Sequence, residues 1–260
     1  MKQFKNLQVD VREQIAVLTF NRPDVLNALN TEVVTEAREA VGELSSMDDV
    51  RVLVITGSGR AFVAGADIAE MRDKTPDQAR SYSQLGHSLM QSIQDMEKPV
   101  IAAVNGYCLG GGAEVALACD IRLASEKARF GLPETILGII PGWGATQRAA
   151  RLMGPALAKE LIFTGEHISA QRALEIGLVN RVVPHDRLMD TTMEMARTIK
   201  KQGQIALSYA KKVINQGIEK SLKEGCEMEI DTFVSCFHTD DCKEGMEAFL
   251  EKRQPQFKGK

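Results

Sequence analysis

The chain has 260 residues, 44% of them hydrophobic, with a formal net charge of -3 and no block of basic residues. That composition can bury a full core, and it excludes a disordered chain or a polycation built for nucleic acid. Five cysteines without a C-x-x-C pair read as free thiols of a reducing cytoplasm, and no apolar leader or membrane-length stretch is visible.

The predicted elements alternate early and turn helical late. Leu7–Val11 and Gln14–Phe20 read as strands joined by a tight turn at Arg12-Glu13. Asn21-Arg22-Pro23 breaks the pattern. A helix starts near Thr31, a suitable N-cap with Glu32 in the first turn, and runs to about Ser45. Val52–Thr56 is a continuous apolar run closed by Gly57-Ser58-Gly59, the pattern of a buried parallel strand. Thr75 to Met96 predicts a polar helix with Pro76 at its entry. Pro99–Val104 is a second buried strand, and a glycine triplet then leads into a helix from about Gly112 to Ala118. Asp120–Ala124 and Ala128–Gly131 are short strands. From Ala145 the pattern is helical apart from a last strand at Val179–Val183. Beyond Pro184-His185-Asp186, three or four helices run to the C-terminus. The expected division is a core over residues 1–195 and a helical region over 196–260.

Two segments carry chemistry. One runs Asn105-Gly106-Tyr107-Cys108-Leu109-Gly110-Gly111-Gly112-Ala113-Glu114; the other is Phe130-Gly131-Leu132-Pro133-Glu134, followed by Gly138 to Gly144. Two carboxylates that converge on one pocket can take and give protons around a water molecule. Glycines beside them let backbone N–H groups approach a ligand oxygen that a Cβ would hold off. Ala61 to Ile68, after the first buried strand, is a second small-residue turn that could aim another N–H at the same oxygen. The glycine spacing fits neither a dinucleotide fingerprint nor a P-loop. The four histidines are scattered without metal-ligand spacing, and no G-x-S-x-G elbow occurs. Cys108 reads as a small buried filler and Asp120 as a capping or pairing group.

Val100 to Glu114 resembles the signature of the crotonase (enoyl-CoA hydratase/isomerase) family. Asn21-Arg22-Pro23, Ala64-Gly65-Ala66-Asp67-Ile68, Phe130 to Glu134, Thr164-Gly165, Thr239-Asp240-Asp241 and Phe249 to Arg253 resemble it too, in order along essentially the whole chain. The resemblance implies an α/β fold, a spiral of β-β-α units with a C-terminal helical trimerisation region, assembled as a homotrimer or a dimer of trimers. It implies an acyl-CoA substrate, no metal and no separate cofactor, since coenzyme A is part of the substrate, and no nucleic-acid or membrane partner. By resemblance the oxyanion hole maps to the N–H groups of Ala66 and Gly111. The acid–base pair maps to Glu114 and Glu134, and a water-holding backbone group to Gly142. The coenzyme A site maps to Arg22, Val25, Leu26, Arg60, Ala64, Ala66, Asp67 and Ile68, with Phe233 and Lys252 supplied by a neighbouring subunit.

Possession of both glutamates resembles the family's hydratases, the 2-enoyl-CoA lyases of fatty-acid β-oxidation. The alternatives are a double-bond isomerase and a non-catalytic relative that binds CoA thioesters or RNA. The sequence departs from the family at Asp24 and Ala69, where several members carry lysines near the phosphates; Arg22, Arg60 or Lys252 are the replacements. Trp143 also departs. Its indole either borders the acyl pocket, favouring short acyl groups, or packs away against a helix or subunit.

Overall fold

A computed structural model of the chain describes residues 2–260. The first hairpin, β1 (Leu7–Arg12) and β2 (Ile15–Phe20), turns at Glu13-Gln14 rather than at Arg12-Glu13. Both turn residues take positive φ, 50° and 64°, the backbone twist that joins antiparallel strands across two residues. Helix α1 (Thr31–Ser46) is capped by Asn30 rather than Thr31: the Asn30 side chain accepts from the Val33 N–H, which leaves Thr31 as the first helical residue.

The chain then winds as a spiral. It runs through β3 (Val52–Gly57), β4 (Ala61–Val63), the short α2 (Ile68–Met71) and α3 (Pro76–Asp95). The next turn is β5 (Val100–Val104), β6 (Tyr107–Leu109) and α4 (Gly111–Ala118), and β7 (Ile121–Ser125) and β8 (Arg129–Gly131) follow. Each strand pair gives its first member to a large sheet and its second to a small one. The large sheet has the order β1-β2-β3-β5-β7-β10, parallel from β2 onward. The small sheet has the order β4-β6-β8-β9, with β4, β6 and β8 parallel. Its last strand, β9 (Ile168–Ser169), has two residues and leaves no periodic signal in the sequence.

β3 shows why its run is wholly apolar. Leu53 and Ile55 face the main core with α1 and α3, while Val52 and Val54 face a second core on the other side of the sheet. That second core is covered by α8 (Leu188–Lys200) through Leu188 and Ala196. Between β8 and β10 lie a 3-10 turn at Pro133–Leu137, α5 (Ala145–Met153), α6 (Pro155–Thr164) and α7 (Ala170–Glu175). β10 (Arg181–Val183) is shorter than the strand expected from Val179. The Val179 N–H is drawn back to the Ala173 carbonyl, closing the end of α7.

Three further helices end the chain: α9 (Gln204–Gly217), α10 (Leu222–Cys236) and α11 (Asp240–Leu250). The division expected at 195/196 falls inside α8, whose Ala196 is buried against the sheet. The region without its own core begins at α9, because α9 and α10 bury no residue at all. No helix among the described residues is long and apolar enough to cross a membrane.

Candidate active site

Because β4, β6 and β8 are parallel neighbours, the segments that leave their C-terminal ends meet at one edge of the small sheet. β4 delivers Gly65-Ala66, β6 delivers Gly110-Gly111, and β8 delivers Pro133-Glu134. Three successive turns of the spiral thus bring together residues that lie up to seventy positions apart in sequence.

Ala66 is held by a bridge to Leu29. The Leu29 N–H donates to the Gly65 carbonyl at 2.9 Å, and the Asp67 N–H donates to the Leu29 carbonyl at 2.8 Å. The buried Tyr82 hydroxyl donates to that same Leu29 oxygen at 2.7 Å. Ala66 N–H itself is left without a protein acceptor among the described residues. Gly111 opens α4, one residue earlier than the sequence suggested, and its N–H is likewise unpartnered, as befits the first turn of a helix. A Cβ built on Gly111 would lie 3.6 Å from Ala66 N, so the two free donors are close neighbours.

Glu114, in the first turn of α4, is almost fully buried. Its Oε1 accepts from the Trp143 N–H at 2.7 Å and the Ala145 N–H at 3.0 Å. Burial pushes this carboxyl above the ordinary range; the two N–H bonds and the Arg148 charge pull it back. Glu134 sits in the 3-10 turn with Oε1 against Gly110, where a Cβ would stand 2.9 Å away. Its Oε2 is buried with no hydrogen-bond partner. Burial, with a further contribution from the Glu114 charge, pushes Glu134 up to about 7. Near neutral pH a substantial fraction of it therefore carries a proton, whereas Glu114, also raised by burial, has two backbone N–H donors that favour its ionised form.

Trp143 points inward. Its ring lies edge-on to Tyr82 at 5.2 Å, fills the space a Cβ on Gly86 would take, and reaches to 2.6 Å of a Cβ built on Gly111. The indole therefore packs between α3, at Tyr82 and Gly86, and the start of α4 at Gly111, so it meets a helix as one of the two expected placements had it. The Gly142 carbonyl is occupied by the Ser83 hydroxyl at 2.7 Å, and its N–H makes no protein bond among the described residues.

The remaining residues divide. Arg22, Val25 and Leu26 form a 3-10 turn that is bonded to the β4 exit through the Ala64 N–H and the Leu26 carbonyl. Val25 and Ile68 are exposed apolar groups on that surface. Arg22 is already engaged, with the Ala28 carbonyl and with Asp67 at 3.6 Å. Arg60 precedes β4 and lines a different cavity, at the opposite end of the strand. Phe233, on α10, meets Phe237 edge-on, and Lys252 follows α11, so both belong to the tail. Sequence reasoning missed Leu29, Tyr82, Ala145 and Arg148. The one available signal was Gly86, four residues after Tyr82, a gap in a helix face where an indole fits. As expected, Cys108 is buried filler, and Asp120 pairs, accepting from the Val100 N–H and from Lys211.

Residues 10–260 match the family model described as enoyl-CoA hydratase/isomerase. The chain belongs to the enoyl-CoA hydratase/isomerase family. It is 46% identical over 255 residues to a crotonyl-CoA hydratase of Syntrophomonas wolfei subsp. wolfei, covering 98% of each chain. It is 44% identical over 253 residues to a short-chain-enoyl-CoA hydratase of Clostridium acetobutylicum, covering 97% of each. The crystal structure of an enoyl-CoA hydratase from Bacillus anthracis superposes with a TM-score of 0.95 at 41% identity, over 98% of this chain and all of that one. The β-β-α spiral and the C-terminal helices are thus the architecture of this family.

Proposed function

We propose that the protein adds water across the double bond of a short 2-enoyl-CoA, giving the 3-hydroxyacyl-CoA, and that it runs the reverse dehydration through the same site. One observation carries this reading: two unpartnered backbone N–H groups and two differently tuned carboxyls meet at one strand edge. The thioester oxygen takes the N–H groups of Ala66 and Gly111, which stabilise the charge that grows on it as water attacks. The start of α4 adds its favourable dipole at Gly111. Glu114, positioned by the Trp143 and Ala145 N–H groups, accepts in its ionised form the proton of the attacking water, whose oxygen bonds to the β-carbon. Glu134 gives its proton to the α-carbon. One C–O and one C–H bond form as one water O–H and the π bond are lost; Glu114 ends protonated and Glu134 ionised, and a proton returns from the first to the second, by way of solvent, before the next turnover.

Val25, Leu26, Ala64, Asp67 and Ile68 form the surface suited to the coenzyme A moiety, with the Gly142 N–H placed to hold the water. The indole of Trp143 closes the space behind Gly111, which suits a short acyl group. The relatives named for crotonyl-CoA and short-chain substrates support that choice. The apolar surface of α9–α11 fits assembly with further copies of the chain, through which Phe233 and Lys252 reach a neighbour's site.

Product analysis tests the reaction. Crotonyl-CoA should give 3-hydroxybutyryl-CoA, and a 3-enoyl-CoA should not be shifted to the 2-enoyl form at a comparable rate. Faster double-bond migration than hydration would overturn the reading in favour of an isomerase.

A further inference from the structure

The small sheet has a cavity at its other end as well. At the N-terminal ends of β4, β6 and β8, opposite the carboxyls, the three strand-to-strand turns enclose a cavity of about 340 Å³. Arg60 comes from the first turn, Asn105 and Tyr107 from the second, and Lys127 and Arg129 from the third; His185 closes one side. The lining holds three permanent cations and no carboxylate, in a chain whose net charge is -3. Among the described residues none of the three cations takes part in an ion pair. Like charges gathered without a counter-charge raise the energy of the empty site and favour an anion within it.

The frame is fixed in advance. The Asn105 amide donates to the Gly59 and Ala61 carbonyls at 3.1 and 3.2 Å. The Tyr107 N–H donates to the Arg60 carbonyl, and the Arg129 N–H to the Gly106 carbonyl. Each turn is thus tied to the next, and the first and third turns bring their cations to the same cavity. Ser125 Oγ accepts from the Lys127 N–H and lies 2.9 Å from His185 Nδ1. Its oxygen already accepts one N–H, and the Ser125 hydroxyl can give its proton to Nδ1, a tautomer that leaves a donor N–H on Nε2. Tyr107 adds a partly exposed aromatic face.

We propose that this cavity is an anion site for the phosphate or diphosphate group of a small molecule. Guanidinium forks and an ammonium are the groups that recognise such oxygens, and the volume lies within the range of small-ligand pockets, roughly 300–1,000 Å³. Two sources share this chemistry: a free phosphorylated metabolite, and the phosphates of a CoA thioester reaching around from the other edge.

Calorimetric titration of the native assembly with inorganic pyrophosphate and with ADP tests the site, and its readout does not depend on the proposed reaction. The expected result is one site per chain, weakened by salt. It should weaken a further tenfold or more, as an order of magnitude, in the double variant Lys127→Ala/Arg129→Gln. Arg129→Lys, which keeps the charge, should retain most of the affinity and guards against a folding defect in the double variant. Pyrophosphate binding that persists in saturating coenzyme A, with an unchanged KM for crotonyl-CoA in the double variant, assigns the site to a free metabolite. Displacement by coenzyme A, with a raised KM in that variant, assigns it to the thioester's own phosphates. No pyrophosphate binding, or binding that the double variant leaves intact, overturns the proposal.

Discussion

Helices α4 and α10 belong to one chain and obey opposite rules. All eight residues of α4 are buried, and none of the fifteen of α10 is. The α4 sequence, Gly111 to Ala118, is small or apolar on every side apart from Glu114, so it is stable only when enclosed, and the spiral encloses it. α10 carries an apolar stripe instead. Ile230, Phe233, Val234 and Phe237 follow the i, i+3, i+4, i+7 pattern, and all are largely exposed. α11 ends with Phe249 at 83% and Leu250 at 80% exposure. An exposed stripe of that kind is a contact face in search of cover, whereas an all-round apolar helix belongs to an interior. The spiral completes its own core; α9 and α10 bury no residue of theirs.

The comparison can be broken first at the enclosed helix. Glu114→Gln should leave the fold intact and lower kcat by roughly two to four orders of magnitude, and Glu134→Gln should do the same, the usual scale for a positioned acid or base. Hydration of crotonyl-CoA followed by loss of the conjugated thioester's absorbance, with thermal melts alongside, separates this from unfolding. A variant retaining near wild-type kcat strips that residue of its proposed role.

The exposed stripe gives the next effect. Phe249→Asp together with Leu250→Asp places two charges on the tail's apolar face. Light scattering should then report smaller species and, because the coenzyme A site is proposed to draw on a neighbour, a raised KM for acyl-CoA. An unchanged mass with unchanged KM would show that this face meets nothing. Lys252→Ala should raise KM with little change in kcat, since it lies far from the reacting carbons.

Trp143 sharpens the contrast between enclosed and open space. Trp143→Ala should raise kcat/KM for longer enoyl-CoAs relative to crotonyl-CoA by about tenfold, the order expected when pocket volume discriminates between acyl lengths. A chain-length series with an unchanged ranking, and only a lowered melting temperature, would reduce the indole to a packing role.

The smallest effect concerns pH. The Glu134 carboxyl is raised in the folded state to about 7, so the fold favours its protonated form. The stability it contributes is fully present below the unfolded carboxylate value and is lost as pH rises through 7. The proton-donating form is lost over the same interval, with Glu114 titrating as part of a coupled pair. Hydration should therefore fall on the alkaline side with an apparent midpoint near 7, and Glu134→Gln should flatten the melting temperature over that interval. A melting temperature equally pH-dependent in both proteins would exclude Glu134 as the source.

Much of this was legible in the sequence, and the reason differs from place to place. Val52–Thr56 and Pro99–Val104 declared themselves because a strand buried on both faces has no polar residue to hide. Glu114 and Glu134 stood out because glycines and prolines beside a carboxylate demand a reason. Tyr82, Leu29 and Ala145 did not, since each acts through a main-chain bond that any residue type could make, or through a contact set only by the winding of the spiral. The turn at Glu13-Gln14 escaped as well, because positive φ there is imposed by strand pairing and not by glycine.

The oxygen-binding groups proposed at Ala66 and Gly111 are main-chain atoms, and this bears on how the protein can lose activity by mutation. Nineteen of the twenty residue types carry the same N–H, so the donor itself is immune to every substitution except proline. The exposure to damage passes to the surroundings. At Gly111 even a methyl group would meet the indole, so the most innocuous of replacements should be among the most harmful. At Tyr82, removal of one hydroxyl should loosen the clamp on Leu29 while leaving every reacting group in place. Harmful variants of this protein should accordingly gather at positions chosen by shape rather than by chemical reactivity.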